Sequence, residues 1–490
     1  MPKEIVVMSR PQETRVALLE EGRLSEVFIE REAQRSAVGN IYYGRVTRVL
    51  PGMQSAFVDI GLERDAFLYV ADALEGLDEN LLTPEEQDKG RRIEEKLDPG
   101  ESVLVQVVKE PLGQKGARIT SHVSLPGRYL VFMPTVEHVG VSRKITDDEE
   151  RRRLKTLLKE IRAERGGGGF IARTAGQSRS REDFERDARY LGKTWDEVRA
   201  LVSRQTPPAL MHRELGLVQR LLRDILSEEV ARITLDSERE HQKTLDLVKE
   251  LQPDLLPRVR LHTKRESVFE EHGIQSELER ALVPKVWLES GGYIVINPTE
   301  ALVAIDVNTG RNVGKERLED TILETNLEAA REIVRQIRVR DLGGIIVVDF
   351  IDMEERKSRK RVMQALEQEL RRDRAPSKLL QVSEFGLVVI TRKRVKQSLE
   401  RTLCQPCPYC AGGGMIKNVS TVCAEIYDEI RKLAPDVAHE GLLLRVNPEV
   451  ARALVKEESS VLRDLHQLVR EIRVQGDPLL HQEQFDVVGL

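Results

Sequence analysis

Two apolar runs, ALVAIDVN and GGIIVVDFIDM, each carry an aspartate at their end, and a single long segment of helical period, from about Leu318 to Arg338, separates them. Strands joined through a helix in this way form a right-handed βαβ unit in which both strands point the same way. Asp306 and Asp349 therefore fall near one edge of one sheet, the carboxyl edge where open α/β sheets bind ligands. The stretch GGYIVINPTEALVAIDVNTG reads as a hairpin ending at Asp306, with Asn308 and Gly310 in the loop that follows. Two carboxylates with an amide beside them make a hard oxygen site. Mg²⁺ suits it, because that ion is usually held by one or two carboxylates together with water and substrate phosphate. The plainer alternative is that strand-end aspartates only start turns. Clustered cations shift the balance: Arg331, Arg335, Arg338 and Arg340 on one helix and its exit, Arg356 to Arg361 on the next, and Arg392 to Lys396 after the last strand. A metal site rimmed in this way suits a phosphodiester.

At 490 residues the chain should hold about three to four structural units. Residues 4 to 30 alternate as a small antiparallel sheet, and from Gly39 to about Thr120 five strand signals fit a barrel of the OB type. An acidic insertion from about Glu75 to Glu101 reads as a solvated loop with a helical piece. In QSAFVDIG, alternation sets Phe57 with polar residues, opposite Ala56, Val58 and Ile60; Phe67 and Tyr69 behave alike in the next strand. Aromatics on the wet face of such a barrel, with Lys115 nearby, form a stacking platform for single strands unless a loop or neighbouring domain covers them. Helical spacing then predicts helices around Leu154–Ile161 and from about Arg181 to Val202. From about Gln275 to Lys396 the pattern is strand, strand, helix, strand, helix, strand, and a small α+β unit closes the chain.

Lys and Arg total 77 against 82 Asp and Glu, a formal charge of −5, so any nucleic acid must be met by local patches. No basic leader with a cleavage site and no apolar run of about 18 residues is present, so no membrane is expected and the default location is cytoplasmic. All four cysteines, Cys404, Cys407, Cys410 and Cys423, lie in one short stretch, unlike a secreted disulfide framework. CPYC followed by glycines has the tight-turn character of a zinc knuckle, yet Zn²⁺ normally takes four ligands and the chain has no second C-P-x-C pair. Completion by the same pair of a second chain makes zinc a dimer clamp. Completion by Cys404 or Cys423, or redox chemistry of the thioredoxin kind, stand as alternatives.

The strings GNIYYGRVTRVLPGMQSAFVDIG, GARITSHVSLPGRYLVFMP, AIDVNTG, LGGIIVVDFIDM, CPYCAGGG and EQFDVV, spread over almost the whole chain, resemble the ribonuclease E/G family. The resemblance implies a multidomain α/β and α+β fold. An RNase H-like subdomain would be split between 1–36 and 215–278, with an S1-type OB-fold RNA-binding domain (37–125) and a 5′-sensor region (126–214) inserted. A DNase I-like catalytic subdomain (279–400), a zinc link (401–418) and a small C-terminal domain (419–490) would follow. It also implies a Mg²⁺-dependent endoribonuclease of rRNA maturation and mRNA decay. Such an enzyme cuts AU-rich single-stranded RNA to 5′-phosphate and 3′-hydroxyl ends and is stimulated by a substrate 5′-monophosphate. Asp306 and Asp349 match the family's metal ligands and Asn308 their support; Phe57, Phe67 and Lys115 match the barrel's RNA contacts. Arg173 and Thr174, with Gly127 and Val131 at the wall, match the 5′-phosphate pocket, and Cys407 and Cys410 match a Zn²⁺ link shared between the two chains of a homodimer. Cys404 lies outside that pattern. The rival from another class is a non-catalytic S1-type RNA-binding protein, which predicts no Mg²⁺-dependent turnover.

Overall fold

In the computed structural model, which describes residues 2–73, 92–111, 116–311, 318–380, 387–437, 441–456 and 458–489, the strands Lys3–Ser9, Glu13–Glu20 and Arg23–Arg31 pair antiparallel as alternation predicts. The sheet does not stop there. Val230–Leu235 runs parallel to Lys3–Ser9, and Val259–Leu261 runs parallel to Val230–Leu235, giving five strands and a mixed sheet. The antiparallel reading of residues 4 to 30 holds, and the added strands come from a pairing across more than two hundred residues, which local periodicity does not register. Ile5, Val7, Leu18 and Ile233 on one face pack against Leu221 and Leu222 of the helix Leu217–Ile225 and Leu247 and Val248 of the helix Glu238–Leu251.

The five predicted barrel strands all form: Ile41–Leu50, Ser55–Asp59, Ala66–Tyr69, Ser102–Lys109 and Arg118–Thr120. They close because Ile41–Leu50 pairs with both Ser55–Asp59 and Ser102–Lys109. Ala56, Val58, Ala66 and Leu68 fill the interior. The acidic insertion differs from expectation at its end, where Ile93 and Leu97 enter the barrel core; residues 74–91 lie outside the described residues.

After the barrel, a four-stranded sheet of Leu125–Pro126, Leu130–Met133, Val139–Val141 and Gly169–Ala172 packs under the helices Asp148–Arg165 and Arg181–Val202. Leu154, Leu158 and Ile161 of the first helix and Phe184, Ala188 and Leu191 of the second are buried, at the spacing read from sequence. The first helix ends on Gly166, whose φ of 82° is a conformation that side chains resist.

The segment from Lys285 to Arg392 forms a six-stranded sheet: Lys285–Trp287, Tyr293–Pro298, Leu302–Asn308, Gly344–Asp349, Val388–Arg392 and Ser377–Leu380 across the sheet. Leu302–Asn308 and Gly344–Asp349 are parallel neighbours joined through the helix Leu318–Val339. The two edge strands, Lys285–Trp287 and Ser377–Leu380, are additions to the predicted pattern; at three and four residues they are too short to show a period. One face buries Ile294, Ile305, Val307, Ile346 and Val348 against Ile333, Ile337, Val362 and Leu366 of Leu318–Val339 and the helix Arg356–Leu370.

Several cations expected to rim the metal site are instead consumed in ion pairs that fasten layers together. Arg338 meets Glu20 at 2.8 Å and Glu26 at 3.1 Å, Arg335 meets Glu277 at 2.7 Å, and Arg392 meets Asp341 and Asp373 at 2.6 Å each. Arg340 is buried on the Gln336 side chain and the Val283 carbonyl. Burial alone would push the Glu26 carboxyl up, but Arg374 and Arg338 outweigh it and hold it below the usual range. Removing one partner from such a pair strands a buried charge, at a cost of about 3–5 kcal/mol.

Contacts divide the chain into Met1–Leu399 and Glu400–Leu490. In the second unit, Glu471–Gly476 runs parallel and Phe485–Gly489 antiparallel to the central strand Gly441–Val446. The helices Val419–Val437, Pro448–Val455 and Ser459–Leu468 pack on this sheet through a core that includes Ile426, Leu444, Leu454 and Leu465. No helix among the described residues is long and apolar enough to cross a membrane.

Candidate functional site

Asp306 and Asp349 are direct register partners on adjacent parallel strands, so their side chains leave the same face of the sheet from backbones about 4.8 Å apart. Both are exposed, while Ile305, Val307 and Val348 beside them point into the core. Asn308 belongs to the strand rather than to the loop after it, which corrects the sequence reading. Two residues beyond Asp306, it shares that face, and its Nδ2 donates to Asp306 Oδ2 at 2.7 Å. The amide orients one carboxylate oxygen, and Oδ1 takes no part in that bond.

Sequence reasoning missed the residues that hold this edge in place. Asn326, fully buried on the helix Leu318–Val339, donates to the Ile351 carbonyl at 2.8 Å and accepts from the Ile351 amide at 3.2 Å, pinning the chain just after Asp349. Glu319 on the same helix accepts from the amides of Glu354 and Glu355. Helical period alone ranks Asn326 as a misplaced polar residue on an apolar stripe; a buried amide on a helix leading to the site is the signal that could have found it. Among the described residues no group of three or more His, Cys, Asp or Glu side chains could hold a metal by itself. Mg²⁺ sites in general draw as few as one or two carboxylates from the protein and fill their remaining positions with water and phosphate. A cleft of about 610 Å³ between Glu20–Ser25 and the helix Leu318–Val339 is lined by Arg331, Arg335 and Arg338, but Glu332, Glu277 and Glu20 engage the last two.

On the barrel, Phe57 and Phe67 are register partners with ring centroids 5.4 Å apart, and Tyr69 follows at 4.5 Å from Phe67. Arg48 lies over Phe57 and Arg118 over Tyr69, each at 4.9 Å, so the aromatic row carries a positive fringe that the sequence reading had not named. Lys115 lies outside the described residues.

Of the four residues matched to a 5′-end pocket, Val131 lies in the sheet after the barrel, Gly127 directly follows its strand Leu125–Pro126, and Arg173 and Thr174 directly follow its strand Gly169–Ala172. Val131 pairs with Ile171, and the Arg173 amide donates to the Tyr129 carbonyl at 2.8 Å. The Arg173 guanidinium donates to the Gly127 carbonyl and pairs with Asp224 at 2.8 Å, while the Thr174 hydroxyl lies 3.2 Å from that of Ser142. Gly127 is required by close packing: a Cβ there would sit 2.5 Å from an Asp187 carboxylate oxygen. Asp187 accepts from the amides of Arg128, Tyr129 and Leu130 at 2.8–3.1 Å, and burial still pushes its carboxyl up. Arg128 is buried alongside, with Nε and Nη1 unpartnered among the described residues.

In the second unit, Cys404 and Cys407 are exposed, Cys410 is half-buried and all four cysteines are free thiols. Backbone N–H groups of Cys410 and Tyr409 hold the Cys407 thiol below its ordinary value, and the Gly414 amide donates to Cys410 Sγ at 3.3 Å. Amides aimed at sulfur favour the thiolate that metals require. Cys423 is fully buried in the core, and burial pushes its thiol up to about 11, the setting of a packing residue.

The sequence profile described as the Ribonuclease E/G family matches residues 124–395. Ribonuclease G of Salmonella typhimurium and ribonuclease G of Escherichia coli are each 45% identical over 489 residues, covering 100% of this chain and 100% of theirs. Ribonuclease E of Haemophilus influenzae is 35% identical over 467 residues, which cover 95% of this chain and 49% of that protein.

Proposed function

This chain belongs to the ribonuclease E/G family and is an endoribonuclease, and from that premise we propose that Asp306 and Asp349 are its catalytic carboxylates, cutting single-stranded, AU-rich RNA with Mg²⁺. The observation that carries the reading is their placement as exposed register partners on one sheet face, with Asn308 fixing Asp306. Asp306 and Asp349 would hold the Mg²⁺, which would supply Lewis-acid stabilisation of the charge developing on the scissile phosphate. The protein holds the phosphate over the carboxylates so that a water attacks phosphorus in line with the leaving 3′ oxygen. The P–O3′ bond breaks, giving a 5′-phosphate and a 3′-hydroxyl without participation of the 2′-hydroxyl.

Around this centre the assigned parts keep their proposed roles. The sheet formed by 1–36 and 215–278 is the RNase H-like support, the barrel is the S1-type RNA-binding domain using Phe57, Phe67 and Lys115, and 279–400 is the DNase I-like catalytic part. Arg173 and Thr174, walled by Gly127 and Val131, read a 5′-monophosphate and stimulate cleavage. Cys407 and Cys410 supply half of a Zn²⁺ site completed by a second chain, which makes the working enzyme a homodimer; the burial of Cys423 supports two ligands per chain. Free, clustered thiols fit a cytoplasmic enzyme of rRNA maturation and mRNA decay. The purely RNA-binding alternative is set aside by membership in a family of ribonucleases.

The deciding experiment is end-mapped cleavage of a 5′-monophosphorylated single-stranded oligonucleotide with Mg²⁺ or with EDTA. Asp306→Asn and Asp349→Asn are each expected to lower turnover at least about a hundredfold while RNA binding persists. Equal loss of binding and cleavage, or full turnover in EDTA, would overturn the assignment.

A further inference from the structure

The sheet face that carries the carboxylates does not end at Asp306. Register pairing continues it across two more strands: Asn308 faces Tyr293 and Tyr293 faces Trp287, while Asp306 faces Val295 and Val295 faces Lys285. Alternation puts all of these side chains on the open face, because Val286, Ile294 and Val307 between them are buried. Trp287 is 54% exposed although only two tryptophans occur in 490 residues. Its ring meets that of Tyr293 edge-on at 5.3 Å, and Lys285 Nζ lies 3.6 Å from the Tyr293 centroid and 4.2 Å from that of Trp287. Tyr293 also lies against the loop leaving the carboxylate strand, since a Cβ at Gly310 would sit 3.1 Å from its ring.

We propose that Trp287 and Tyr293, with Lys285 laid across them, form a stacking platform for an RNA base next to the scissile phosphate. The occupant follows from continuity: the rings stand in the same register row as Asn308, and Trp287 is two strands, roughly 10 Å, from it. A nucleotide flanking a phosphate held at Asp306 and Asp349 reaches that row. Indole and phenol faces accept any base, and the ammonium beside them favours the neighbouring phosphate. The platform lies on the catalytic sheet itself, separate from the aromatic row of the barrel. The inference rests on the carboxylate pair being the catalytic centre.

The test is cleavage of single-stranded RNA oligonucleotides in which one nucleotide at a time near the cut is replaced by an abasic residue. The natural chain is expected to lose about tenfold in kcat/KM at one flanking position. Trp287→Ala should lose about as much on the intact strand and show no further loss at that position, and Trp287→Phe should restore part of it. As an independent reading, Trp195→Phe leaves Trp287 as the sole tryptophan, and its emission should be quenched when RNA binds in an Asp306→Asn background. Unchanged kcat/KM in Trp287→Ala, retained abasic penalties, or unquenched emission overturns the platform. So does a Trp287→Ala chain that changes its oligomeric state while keeping every abasic penalty, since the face would then be a protein interface. Asp306→Asn alone reports on the carboxylate reading: if it is inactive while Trp287→Ala matches the natural chain, only the platform falls.

Discussion

Asn326 and Ile351 exchange both of their hydrogen bonds, the buried amide of the helix holding N–H and C=O of a residue two positions beyond Asp349. The contact ties the carboxylate strand to the helix that starts the βαβ return, so the separation of Asp306 and Asp349 is set by helix packing as well as by strand pairing. Asn326→Ala removes both bonds and leaves a polar backbone site uncovered. It should cost about 2 kcal/mol of stability. As a positioning residue, its loss should lower kcat by about tenfold or more with KM little changed, because slight misplacement of a carboxylate weakens the transition state more than binding. Steady-state kinetics with a folding measurement check this; a rise in KM at constant kcat would count against it.

At the proposed 5′-end pocket, Thr174, next to Arg173 in the chain, and Ser142 present two hydroxyls. Thr174→Val keeps the shape and deletes one hydroxyl. The preference for 5′-monophosphate over 5′-triphosphate substrates should fall about tenfold, while cleavage of a 5′-hydroxyl strand stays as it was. Paired assays of the three oligonucleotides decide it, and a preserved preference would place end recognition elsewhere.

The cysteine turn makes a stoichiometric prediction. With Cys407 and Cys410 as the two proposed ligands of each chain, metal analysis and native mass measurement should give one Zn²⁺ per two chains, and Cys407→Ser should release both the metal and the dimer. One Zn²⁺ per chain would instead bring Cys404 into the site.

His212 ends the short strand Ala209–His212 that lies against Ile41–Leu50. Burial pushes its imidazole below the ordinary 6.5, against the opposing pull of Glu214 and Glu197. Below pH 6.5 the unfolded chain therefore binds a proton that the folded chain refuses, so this group's contribution is present above 6.5 and is lost as pH falls toward the folded value. Urea unfolding between about pH 7.5 and about pH 5.5 should show His212→Gln losing less stability than the natural chain. Identical slopes would assign the effect to another group.

Much of the architecture was written in local pattern. Alternation in QSAFVDIG and RDAFLYV was enough to separate Phe57 and Phe67 from the barrel interior, and apolar runs ending on aspartate placed Asp306 and Asp349 together. Such signals are local because a strand's two faces repeat every second residue and a helix's face every third or fourth. What tertiary structure alone decided is who meets whom across the chain. Lys3–Ser9 finds Val230–Leu235; Arg335, Arg338 and Arg392, which by sequence rimmed a metal, are spent on Glu277, Glu20, Glu26, Asp341 and Asp373. Cys423 goes into the core of the second unit, and Trp287, on a three-residue strand too short to carry a period, joins the row that ends at Asn308. A charge or an aromatic ring has no partner until distant segments pack, so its role is settled by non-local contacts that residue order does not spell out.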